Sequence, residues 1–250
     1  MINAWDLKVD DKRSADSLFT FIIFCEDEIS EYYYFKWFET SLIKVNVIRK
    51  QKSMLTNLSK AITFCTESGV LVNDGTNYRL REEGIELWCV YDRDIESNHA
   101  EIVEKDTEFN LSISLGEQND INVAWSNDAF ELWILLHLMD IDANIDDTKK
   151  RTYYYDVLTD YFKTKGNPNA DLAKALAHAS FSYKKDLKSK SNFINIVRNE
   201  ILPNTRIAIE RSIALFEVHK AKVNHFEKKP CTTVHNLVIS LLDKGKQQIP

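Results

Sequence analysis

Glu86-Leu-Trp-Cys-Val-Tyr-Asp-Arg-Asp94 passes from apolar to acidic within a few residues. Leu87 to Tyr91 is almost wholly apolar and β-prone, the pattern of a strand buried on both faces in a parallel sheet. The strand runs straight into Asp92-Arg93-Asp94. Ligands of open α/β sheets collect at the carboxyl ends of strands. Aspartates two apart in an extended chain point the same way.

Two other apolar runs end alike. Phe19 to Phe24 stops at Cys25-Glu26-Asp27-Glu28, and Ile121 to Trp125 is followed by Ser126-Asn127-Asp128-Ala129-Phe130-Glu131. Carboxylates at these three strand ends are placed to converge on one pocket. A pair of ionised carboxylates about 5 Å apart repels by roughly 3 kcal/mol at an effective dielectric near 20, so a cluster calls for a cation. Hard oxygen donors with no Cys/His cluster nearby favour Mg²⁺ or Mn²⁺.

Strand and helix patterns alternate outward from these anchors. Helical spacing after Glu31 places Tyr33, Trp37 and Phe38 on one face, and Ile43, Val45 and Val47 alternate as a second strand. Ser53 is positioned to cap a helix carrying Leu55, Leu58, Ile62 and Cys65. Gly69 to Gly84 reads as an exposed hairpin turning at Asn73-Asp74-Gly75. Ser97 caps a helix expected over about 98–109, and Phe130 to Leu138 reads as a strongly apolar core helix. This alternation predicts an α/β fold with a parallel sheet.

After Asp140 convincing strands disappear. Aromatic and basic helices are expected at about 152–163, 171–178, 192–202, 204–218 and 233–242, with Pro203 and Pro230 as breaks. The predicted organisation is a mobile lead-in over 1–17, an α/β domain over 18–141 and a mainly helical region over 142–250, the last either separate or packed on the same core.

The chain has 250 residues, a net charge of −6 and 44% hydrophobic residues, an ordinary globular composition. No apolar run approaches the roughly 18 residues of a membrane span, and no signal peptide stands out. Cys25, Cys65, Cys89 and Cys231 are scattered without a CxxC, which predicts reduced thiols, a cytoplasmic location and no zinc. Six glycines and no Gly-rich phosphate loop argue against a nucleotide-binding domain. Residues 1–140 hold 13 Lys/Arg against 26 Asp/Glu, and residues 141–250 hold 19 against 12. Such asymmetry suits metal held by one part and a polyanion by the other, or two solvated faces. Lys149-Lys-Arg151 and Tyr183-Lys184-Lys185, with Lys188 and Lys190, pair cations with aromatics, as phosphate contact and base stacking require. Asn127 is a candidate for orienting a carboxylate, touching phosphate or shaping a turn. His137 reads as a hydrogen-bonded core histidine. Glu28 and Glu31 read as helix-start charges.

Three motifs in order, Phe24-Cys25-Glu26 with Glu31 and Tyr34-Phe35, then Tyr91-Asp92-Arg93-Asp94, then Trp125-Ser126-Asn127 with Phe130-Glu131-Leu132-Trp133 and Leu136-His137, resemble the RloB-like family, also found among abortive-infection proteins. Pro230, Thr232, Val234 and Leu237 resemble its closing helix. The resemblance implies a TOPRIM-type, Rossmann-like parallel sheet with helices on both faces and a C-terminal helical extension. It implies a Mg²⁺- or Mn²⁺-dependent nuclease acting on RNA such as transfer RNA, or on DNA, in anti-phage defence beside an ABC- or AAA-type ATPase; self-association is compatible with this. By that pattern Glu26, Asp92, Asp94 and Glu131 hold metal and carry catalysis, with Glu26 alternatively the general base, and Asn127, Lys184, Lys185 and Lys188 meet substrate. Asp27 stands where the family commonly has Gly, which bears on the local turn, and Asp128-Ala129 replace Pro-Cys. The chain is too short for topoisomerase gate domains, and primase modules are not evident. A non-catalytic adaptor, docking through the 69–84 hairpin and the aromatic helices, is the competing expectation.

Overall fold

A computed structural model describes residues 18–94, 99–144 and 150–247. The lead-in, Ser97 and Lys149 lie outside the described residues. The sheet has strands β1 (Phe19–Cys25), β2 (Ile43–Ile48), β5 (Ile85–Asp92), β6 (Asn122–Asn127) and β7 (Cys231–Thr232), in the order β2-β1-β5-β6-β7. β2, β1, β5 and β6 are mutually parallel; β7 alone runs antiparallel, pairing Ser126 with Thr232 and Asn127 with Cys231. A mixed α/β fold with a mostly parallel central sheet is therefore observed.

The central position of β5 explains its apolar sequence. Trp88 and Val90 join a core with α1 (Ser30–Lys36) and α4 (Phe130–Leu138), while Leu87, Cys89 and Tyr91 join one with α2 (Met54–Glu67) and α3 (His99–Gln118). Helices thus cover both faces, as alternation along a doubly buried strand demands. β3 (Leu71–Asn73) and β4 (Tyr78–Leu80) form the hairpin. Its turn is knitted by Asn73 Oδ1 accepting from the Gly75 N–H, and Asp74 Oδ1 from those of Thr76 and Asn77. Gly75 takes a φ of +100°, which a side chain would resist.

Several local expectations are corrected. The buried face of α1 and the turn after it is Tyr34, Phe35 and Phe38, while Trp37 is 42% exposed. Ser53 precedes α2 without capping it; its hydroxyl donates to the Asp92 carbonyl instead. Helix α3 runs to Gln118 rather than to about residue 109.

Of the two arrangements expected for the region after residue 142, a separate unit or packing on the same core, the second is the one seen. The helices α5 (Arg151–Thr164), α6 (Ala170–Leu176), α7 (Thr205–His219) and α8 (Val234–Gly245) do not build a second core. Tyr154, Phe162, Leu215 and Leu241 share one apolar cluster with Phe21, Val90 and Trp133. The same half of the chain supplies β7. Two segments, Tyr183–Leu187 and Phe193–Arg198, are π-helical, a wider coil favoured where a side chain must be re-aimed. All four cysteines are buried and free. Among the described residues no helix is long and apolar enough to cross a membrane.

Candidate metal and phosphate site

β1 delivers the first carboxylates. Glu26 follows its last residue, and Asp27 folds back so that Oδ1 accepts from the Ile29 and Ser30 N–H groups at 2.6 and 3.1 Å. Glu31, in the first turn of α1, returns the favour: its Oε2 accepts from the Asp27 N–H at 2.9 Å. This reciprocal capping, akin to a capping box, satisfies donors that a helix start leaves open. Asp27 is not among the residues with positive φ, so the turn has no need of the glycine seen in the family pattern. Its Oδ2 is left for the Lys188 ammonium, 2.7 Å away.

β5 delivers the second group. Its backbone stays laced to the tail of β6 past the strand end, with the Arg93 N–H donating to the Ser126 carbonyl and the Asp94 N–H to that of Asp128. Asp92 and Asp94 converge on one guanidinium nitrogen: Arg151 Nη2 lies 3.2 Å from Asp92 Oδ2 and 3.3 Å from Asp94 Oδ1. Arg93, between them, turns away to Asp106 at 2.6 Å, Asn127 Oδ1 at 3.2 Å and the Phe226 carbonyl at 3.1 Å.

β6 and α4 deliver the third. Glu131, in the first turn of α4, is buried and sits 2.9 Å from Lys188 Nζ. Lys188 follows the first π-helical segment directly, and Arg151 opens α5.

These side chains line a cavity of about 240 Å³: Glu26, Asp27, Glu31, Asp92 and Glu131 as acids, Arg151 and Lys188 as bases, and Phe130 as an apolar wall. Burial pushes the Glu26 carboxyl up to about 7, Asp94 adding repulsion and the Ser53 hydroxyl and Arg151 pulling back. Burial, and then the neighbouring carboxylates, hold Glu31 well above the usual carboxylate range. Asp92 is raised by burial despite Arg151, with Glu26 and Glu131 adding to the effect. Asp27 goes the other way: burial opposes ionisation, but Lys188 and the two capping N–H groups outweigh it. Burial disfavours the charges of Arg151 and Lys188 too, yet the surrounding carboxylates hold both firmly protonated.

A family model described as RloB-like protein matches residues 21–241. The chain belongs to the RloB-like family. No curated protein and no solved structure matches it significantly. The part matched by the RloB-like model contains every residue of the cavity.

The geometry gathers Glu26, Asp92 and Glu131 in one cavity and ties Asp94 to it through Arg151. Asn127 is placed elsewhere. It is fully buried, and its amide donates to the carbonyls of Phe226 and Lys228 at 2.8 and 2.9 Å, so it anchors a loop instead of meeting phosphate. Lys184 and Lys185 are exposed and do not line the cavity, whereas Lys188 does. His137 is a core residue, bonded to the Tyr34 hydroxyl and the Trp133 carbonyl and lowered by burial to about 3. Glu31 corrects an expectation: it is a cavity carboxylate as well as a helix-start charge.

The donors suit a hard divalent ion in kind, being all carboxylate oxygens. Glu26 Oε1 is buried with no hydrogen-bond partner, and its ionised form is free to accept a cation there. Among the described residues, however, no three such side chains already stand as a ready metal cage. Arg151 and Lys188 sit among them as internal counter-ions.

Proposed function

We propose that this RloB-like chain is a TOPRIM-type, divalent-metal-dependent nuclease that cuts phosphodiester bonds in RNA such as transfer RNA, or in DNA. In this reading it is the effector of an anti-phage abortive-infection system regulated by an ABC- or AAA-type ATPase. The observation that carries the reading is the cavity at the carboxyl ends of β1, β5 and β6, where strand-end acids from three places in the chain meet beside two cations. Glu26, Asp92, Asp94 and Glu131 are the residues that would hold Mg²⁺ or Mn²⁺. Such an ion, when bound, neutralises phosphate charge and activates a water. Glu26, pushed up to about 7, has the proton affinity of a general base working near neutral pH.

The test is cleavage of labelled transfer RNA, single-stranded DNA and duplex DNA in Mg²⁺ or Mn²⁺, with the ATPase partner present. Glu26→Gln and Asp92→Asn are each expected to lower the rate by about a hundredfold or more. Unchanged rates in both variants overturn the assignment.

One observation favours a second reading, the non-catalytic adaptor. Arg151 and Lys188 already pair with Asp92, Asp94, Asp27 and Glu131, so the site holds together without a metal. Normal phage protection by a Glu26→Gln/Asp92→Asn double variant would select that reading.

A further inference from the structure

Arg151 and Lys188 stand out because each bridges two carboxylates that lie far from it along the chain. Arg151 spans Asp92 and Asp94; Lys188 spans Asp27, beside α1, and Glu131, in α4. Yet the cavity is left with two unused polar atoms. Glu26 Oε1 is a buried acceptor without a donor, and Arg151 Nε is a buried donor without an acceptor. Native interiors rarely leave such atoms without a partner, whether protein, water or ligand. One wants a cation and the other an oxygen carrying negative charge. A divalent ion together with a phosphate oxygen supplies both.

The bases and a divalent ion also compete for the same carboxylates. Each pair occupies one oxygen of Asp92, Asp94 or Glu131 at about 3 Å, and a divalent ion on the other oxygen would sit close to a like charge that repels it. A guanidinium or ammonium freed inside this cavity needs a new anion, because a buried unpaired charge is costly. The anion that accompanies the ion in phosphodiester chemistry is the substrate phosphate.

We infer that Arg151 and Lys188 are exchangeable counter-ions: they neutralise the strand-end carboxylates of the metal-free protein, and they release them to grip the phosphate of a nucleic-acid strand when a divalent ion loads. The inference rests on the nuclease reading and adds regulation to it. Metal and polyanion then assist one another, each binding more tightly once the other is in place. Both cations come from the basic half of the sequence and all the carboxylates they hold from the acidic half.

The experiment uses the full chain and two readouts other than cleavage. The first is ¹⁵N NMR of the Arg151 Nε and Lys188 Nζ groups in the unaltered protein during Mg²⁺ titration. Both resonances are expected to move with one midpoint. The second is Mn²⁺ affinity, from the electron paramagnetic resonance signal of free Mn²⁺. Arg151→Gln and Lys188→Gln are each expected to bind Mn²⁺ about threefold tighter or more, since a competing charge is gone, and Asp92→Asn to lose it. Resonances that stay still while Asp92-dependent Mn²⁺ binding proceeds overturn the exchange and leave the metal site standing. So does a variant that binds Mn²⁺ no tighter than the unaltered protein, for the cation it removes. Mn²⁺ binding that is absent, or indifferent to Asp92→Asn, overturns the nuclease reading itself and the exchange with it.

Discussion

Asn127 donates to three backbone carbonyls of the 225–228 loop and accepts from Arg93. Asn127→Ala strands those groups in a buried place, so a loss of about 2–3 kcal/mol is expected in urea melts. Glu26 gives a prediction with a definite sign. In the unfolded chain its carboxyl ionises near the ordinary 4.5, but in the fold it keeps its proton up to about 7. Unfolding therefore releases a proton between those values, and the stability this group contributes is full below 4.5 and lost as pH rises through about 7. Thermal melts of the metal-free protein should show the midpoint falling over that window, with Glu26→Gln flattening the fall. Glu26, Asp92 and Asp94 can be picked out in the sequence because apolar runs that stop at acids place them at the carboxyl ends of parallel strands, where the structure has them. Glu31 is not, since a glutamate in the first turn of a helix already has a sufficient reason to be there. The basic patches around Arg151 and Lys188 are visible, but their partners lie 59 and 57 residues away, beyond any local pattern.

Helix α1 shows what a short element conceals. Aromatic residues occur at nearly every position from Tyr32 to Phe38, so spacing alone does not say which face turns inward. The structure buries Tyr34, Phe35 and Phe38 and leaves Trp37 partly out. Phe38→Ala is accordingly expected to cost about 3–5 kcal/mol in denaturant melts, and Trp37→Ala about 1 kcal/mol or less. Strands are easier, because a run such as Phe19 to Phe24 is apolar at nearly every position and needs no choice of face. The two π-helical segments are beyond reach: patterns are sought at a period of 3.6 residues, and a wider coil disturbs that period just where Lys188 is aimed.

The sheet and the later helices share one apolar core, so the molecule should unfold as a unit. A fragment covering 18–141 lacks β7, the covering α8 and both cavity cations. It is expected to give no sharp thermal transition by circular dichroism and rapid proteolysis, whereas the whole chain gives a single transition. The change from strands to helices suggests a boundary near 142, but a change in element type does not divide a core. The two-residue β7 escapes a sequence reading because so short a strand has no periodicity. Its pairing also sets an order of events. Ser126 meets Thr232 across 106 residues, so β6 remains an open edge until Thr232 has been made. Until the later helices emerge, the acidic strand ends have neither Arg151 nor Lys188 beside them and repel one another. A ribosome-bound chain halted near residue 141 should stay unfolded and catalytically silent, which keeps the proposed activity sealed until Arg151 and Lys188 have reached the strand ends.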